Sequence, residues 1–188
     1  MVESFFFVSQ SRSGEVIYLN ERAKQTNAFV IPGEKPPQIY ISAKDGNEEK
    51  RFNQYREFIS ENVPEIKEEV SKLTLDDWFR KTILHEDSHL EIFEKFGGFK
   101  DANEIVEQDS NFKPYLDILF EMDSKHISSP VMTNEVMAED LRIIRAKKNK
   151  DPTQHIYSKD THSIDIDRPG LYQQRLKILE KAFYGGKE

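Results

Sequence analysis

The pentad His85-Glu86-Asp87-Ser88-His89 combines residue types at a spacing that can do metal chemistry. Residues four apart lie one above the other on a helix, so both imidazoles can reach a single cation. Glu86 is offset around the same helix and addresses the cation's open coordination position. A Zn²⁺ ion held by such a pair polarises a carbonyl and acidifies water, and the adjacent carboxylate takes the proton. Counted in threes and fours, Trp78, Thr82, His85, His89, Ile92 and Phe96 form one stripe. The histidines therefore lie on a largely apolar face that points inward. The plain alternative is a pair of core histidines satisfied by hydrogen bonds.

Two imidazoles leave zinc under-coordinated, because catalytic sites take three protein ligands and a water. Glu135 and Glu139 share a face of a second amphipathic segment, which Thr133 is placed to cap. Val136, Met137, Leu141 and Ile144 are its buried candidates. One of the two carboxylates can bind metal while the other accepts the free ring N–H of a ligand histidine. Taken alone, an acidic first turn reads more readily as a solvated complement to the helix dipole. The upstream pentad tips the choice to metal binding.

A pentad followed by such a Glu resembles the gluzincin group of zinc peptidases. The interval between His89 and Glu135, and the string Glu135-Val136-Met137-Ala138-Glu139-Asp140-Leu141-Arg142, look like the anthrax lethal factor type of protease domain. That type includes the clostridial Pro-Pro endopeptidases, which share a Glu-x-x-Ala-Glu-x-x-Arg string. The resemblance spans residues 75–148. It implies zinc on His85, His89 and Glu135, a general base at Glu86, and a role behind the ligands for Glu139. Two departures stand out. Asp87 puts a charge at a middle position that is usually uncharged. The family's tyrosine ahead of the third ligand is missing from His126-Ile127-Ser128-Ser129-Pro130-Val131-Met132. An oxyanion donor is then sought at His126, His155, Tyr157 or His162, since imidazole and phenol can both donate to developing charge. His155 and Tyr157 enter the catalytic set on that basis.

These residues need elements to carry them. Phe5–Ser9, Glu15–Asn20, Asn27–Ile31 and Gln38–Ala43 read as strands, the first two joined as a hairpin through Ser11–Gly14. Helical spacing follows over Asn47–Glu61, with Phe52, Tyr55, Phe58 and Ile59, and over Pro64–Leu73. Thr74 caps the pentad helix, Asp76 and Asp77 occupy its first turn, and Gly97-Gly98 ends it. Pro114–Asp123, the Glu135 segment and Pro169–Phe183 complete the set. The expectation is one α+β, zincin-like domain over residues 1–188. In it, a small, mostly antiparallel N-terminal sheet at about 4–45 precedes a helical half at about 47–184. The polar stretch 149–168 exceeds a typical connection, and reads as a substrate wall or a surface loop.

Composition bounds the partners. A content of 37% hydrophobic and 32% charged residues suits a globular chain. A net charge of −7 removes the phosphate attraction that a general nucleic-acid binder relies on. The basic run Arg142, Arg145, Lys147, Lys148 and Lys150 reads as cations at a helix C-terminus. With no cysteine there is no disulfide or thiolate chemistry. No apolar run reaches a membrane span, and the first ten residues lack a basic n-region. The expected protein is a monomer acting on a protein or peptide, cytoplasmic or exported without an N-terminal signal peptide. Two other readings compete. One is an inactive domain stapled by zinc. The other is a di-metal carboxylate bundle built on Glu86-x-x-His89, which needs a second Glu-x-x-His where the chain offers only Asp123-x-x-His126.

Overall fold

A computed structural model describes residues 9–10, 15–18, 28–30, 38–41, 48–123, 130–156 and 168–185. Among the described residues, seven α-helices carry the body: α1 (Glu48–Asn62), α2 (Lys67–Ser71), α3 (Leu75–Phe96), α4 (Ala102–Gln108), α5 (Lys113–Asp123), α6 (Pro130–Lys148) and α7 (Pro169–Tyr184). Short 3₁₀ turns at Pro64–Ile66, Ser110–Phe112 and Pro152–His155 link them.

The body is 85% helical and contains no strand, which overturns the expected α+β fold with an N-terminal, mostly antiparallel sheet. Outside it lie four short strands, β1 (Ser9–Gln10), β2 (Glu15–Tyr18), β3 (Ala28–Val30) and β4 (Gln38–Ile41), in the order β1-β2-β4-β3. Their central pair, β2 with β4, is parallel, with Val16 opposite Ile39. Runs of two to four residues make a fringe rather than a layer, and parallel pairing depends on a crossover that strand-like letters do not reveal. β3 and β4 lie against α3.

α3 is framed by strong local signals. Thr74 accepts from the Asp77 amide while Asp77 Oδ2 accepts from the Thr74 amide at 2.9 Å, a reciprocal cap. At the other end Gly97 adopts φ 75°, a left-handed conformation that glycine enters without a Cβ penalty. Between these ends α3 crosses two hydrophobic clusters. Leu75 and Trp78 pack against the smaller one, built on Phe52, Ile59, Val70 and Ile156. Ile92 and Phe96 belong to the larger one, with Ile105, Phe112, Leu141 and Leu179. The pentad lies between them, on the helix that α6 contacts most extensively.

α6 begins at Pro130, so Thr133 is a buried residue inside the helix and not its cap. Proline at a first helical position starts a helix as readily as a hydroxyl cap does. α4, which the apolar spacing did not suggest, is set by a capping box between Asp101 and Glu104. On its far side α6 packs on α7 through a sealed polar cluster. Asp140 accepts from Arg175 at 2.8 Å and from the Tyr115 hydroxyl at 2.9 Å.

Candidate metal centre

α3 and α6 bring His85, His89 and Glu135 together, with one ligand atom from each lying within 4.8 Å of the others. The cluster could bind a metal ion. The two Glu135 oxygens face the two imidazoles: Oε2 is 3.2 Å from His85 Nε2, and Oε1 is 3.3 Å from His89 Nε2. The donor set fits a divalent cation, because these converging atoms are the ones that would ligate and Glu135 remains 46% exposed for access. His85 turns its other nitrogen, Nδ1, to Glu139 Oε2 at 3.1 Å. With Nδ1 carrying the proton, the Nε2 lone pair is free for a cation.

Glu139 is fixed in turn by Arg142, whose Nε and Nη2 donate to its two oxygens at 2.9 and 2.8 Å. Burial opposes the Glu139 charge, but Arg142, Lys81 and His85 together hold its pKa well below the carboxylate range. Burial likewise opposes charge on His85, yet Glu135 and Glu139 raise its pKa to about 9. Glu135 is pulled well below its ordinary value by His85 and His89, against the effect of burial.

Glu86 is buried beside this cluster and makes no side-chain hydrogen bond among the described residues. Burial raises its pKa and outweighs the attraction of His85 and His89. A carboxyl whose pKa moves up in a site holding imidazoles has the profile of a general base. Asp87, the anomalous middle residue of the pentad, does not join the cluster and pairs instead with buried Arg145, further along α6. Arg145 also approaches Ser88 Oγ and Glu91 Oε2, each at 3.5 Å. Two polar seams therefore join α3 to α6, one converging on a candidate cation position and one built around Arg145 with Asp87, Ser88 and Glu91.

The remaining expected residues divide. His155 is half-buried, and burial, Glu69 and Lys147 are what act on its ring, so it belongs to the α2 side and not to the cluster. Its pKa is lowered by burial. Tyr157, His126 and His162 lie outside the described residues. Arg142 and Arg145, expected among helix-end cations, are instead buried partners of Glu139 and Asp87.

Two further contributors have a sequence signal of their own. Lys81 stands one turn before His85 at the same four-residue spacing, and its charge acts on His85, Glu86 and Glu139. Asn134 precedes Glu135, and its Nδ2 donates to Lys100 O at 2.9 Å, tying the loop after α3 to α6.

No protein-family model matches the chain, and no curated protein or solved structure matches it either. Among the described residues, no helix is long and apolar enough to cross a membrane.

Proposed function

We propose that the chain is a zinc-dependent endopeptidase acting on a protein or peptide. The observation that supports this most is the convergence of His85, His89 and Glu135 beside a buried carboxyl, Glu86, whose pKa is raised. Two imidazoles and one carboxylate with an accessible fourth side are the donor set of a catalytic zinc site. Zinc held there would supply Lewis acidity, which polarises a scissile carbonyl and acidifies water. Glu86 takes the proton from the attacking water and returns it to the leaving amine. Glu139 keeps the His85 ring oriented with Nε2 toward the cation.

The test is Glu86→Gln in zinc-loaded protein, assayed on a mixed peptide library. Zinc stays bound while cleavage falls about a thousandfold, the scale of general-base catalysis. Undiminished cleavage would falsify the role of Glu86.

A second reading keeps the metal and removes the chemistry, so that zinc only staples α3 to α6. It is favoured by the tyrosines: the hydroxyls of Tyr55, Tyr115 and Tyr184 bond His155 O, Asp140 and Glu91, away from the cluster. It predicts zinc-dependent stability with no cleavage even when Glu86 is intact.

A further inference from the structure

The turn Pro152–His155 and its flanking residues Asp151 and Ile156 are not part of the His85–His89–Glu135 group, yet side chains from three helices hold them. From α6, Arg142 Nη1 donates to Thr153 O at 2.9 Å and Nη2 donates to Ile156 O. From α1, the Tyr55 hydroxyl donates to His155 O at 2.5 Å. From α3, Arg80 Nε and Nη2 donate to Asp151 Oδ2 at 3.1 and 2.6 Å. Arg142 also reaches the metal side, through the two Glu139 oxygens. The side chain is fully buried, so any donor it loses there has no water to turn to. If the turn shifts, the guanidinium must follow it or leave donors unpaired. Glu139 moves with the guanidinium, and the His85 ring moves with Glu139.

We infer that Arg142 is a positioning residue that couples cation binding at His85, His89 and Glu135 to the order of residues 151–156. Coupling of this kind is reciprocal: the cation tightens the turn, and a loosened turn weakens the cation site. The inference depends on the metal cluster and not on peptide hydrolysis, so it stands or falls separately from the peptidase reading.

The experiment uses zinc itself as the probe, with the full chain. Backbone hydrogen–deuterium exchange is measured with and without zinc, and zinc affinity by competition with a chromophoric chelator. The wild type is compared with Arg142→Lys and Tyr55→Phe. Lysine keeps a charge near Glu139, but one ammonium cannot span a carboxylate and two carbonyls. Tyr55→Phe deletes only the hydroxyl on His155 O, leaves every cluster residue in place, and keeps the test open should Arg142→Lys not fold.

In the wild type, zinc should slow exchange of the amides of residues 151 and 153–156 about tenfold or more, along with those of α3. In Arg142→Lys zinc still slows α3 but no longer slows the turn, and binds about tenfold more weakly. In Tyr55→Phe the turn exchanges faster without zinc, and zinc affinity drops about threefold, the size of one neutral hydrogen bond. Zinc protection of the turn that persists in Arg142→Lys overturns the coupling. So does a Tyr55→Phe turn that loosens while zinc affinity stays unchanged. A wild type that binds zinc without any change at 151–156 overturns it alone, whereas a wild type that binds no zinc overturns the metal assignment with it.

Discussion

Glu139 and Asp140 are neighbours on α6, and each meets an arginine in the interior, but the two carboxylates face different regions. Glu139 looks toward α3 and shares its Oε2 between His85 and Arg142. Asp140 looks toward α5 and α7, which supply Tyr115 and Arg175. At 3.6 residues per turn, one step along the helix rotates a side chain by about 100°, enough to pass from the metal seam to the sealed core. The balance of forces differs too. At Glu139 the charges of Arg142, Lys81 and His85 outweigh burial, and the pKa falls. At Asp140 burial outweighs Arg175 and Tyr115, and the pKa rises. A buried ion pair of this sort adds little net stability over apolar packing, while a carboxylate held ionised behind an imidazole orients its ring.

Breaking the sealed side gives the largest effect. Asp140→Ala leaves Arg175 charged in the core and costs about 3–5 kcal/mol in urea denaturation. Zinc affinity per folded molecule stays the same. Replacing both partners with apolar residues costs far less, because no orphaned charge remains. A small loss in Asp140→Ala would erase the distinction between the two carboxylates.

On the metal side the readout changes. Glu139→Gln lowers zinc affinity about 10- to 100-fold, as measured by chelator competition, since the glutamine holds the His85 N–H less firmly. Asp140→Asn, one residue away, leaves zinc affinity within about twofold if the two networks are independent.

The pH dependence sharpens the contrast further. In metal-free protein the raised pKa of His85, about 9, means that a cation must displace its proton. Apparent zinc affinity therefore rises with pH, about tenfold per unit, and levels off above about 9. Without metal the sign reverses. The folded-state pKa lies above the unfolded value, so the His85 contribution to stability is complete below about 6.5 and is lost as pH rises through about 9. Urea midpoints of EDTA-treated wild type and His85→Gln should converge across that window.

What the letters reveal depends on how local the signal is. The ends of α3 are written in Thr74, Asp77 and Gly97, and its inward stripe in Trp78, His85, His89 and Phe96, so its position is readable. The same logic missed α4, whose Asp101–Glu104 box was available, and misplaced the start of α6 at Thr133. The fold class was misjudged because β-branched and aromatic residues before residue 45 suggested a structural layer, whereas helices make up the body. Glu135 and Glu139 were legible as a pair through their four-residue spacing, but which one faces the imidazoles' Nε2 atoms is a matter of packing. Arg142 and Arg145 looked like helix-end cations because their carboxylate partners become neighbours only when α3 docks on α6 or the helix turns. Asp87, an oddity within the pentad, is explained by the same docking.

If three side chains from two helices hold one cation, the metal content of the purified protein reports it without any activity assay. Purified wild type, His89→Ala and Glu135→Ala are assayed for bound zinc by elemental analysis after identical loading and dialysis. The expected result is one zinc per chain in the wild type and loss of zinc in both variants. Full zinc retention in Glu135→Ala would contradict the assignment of α6 as the source of the third ligand.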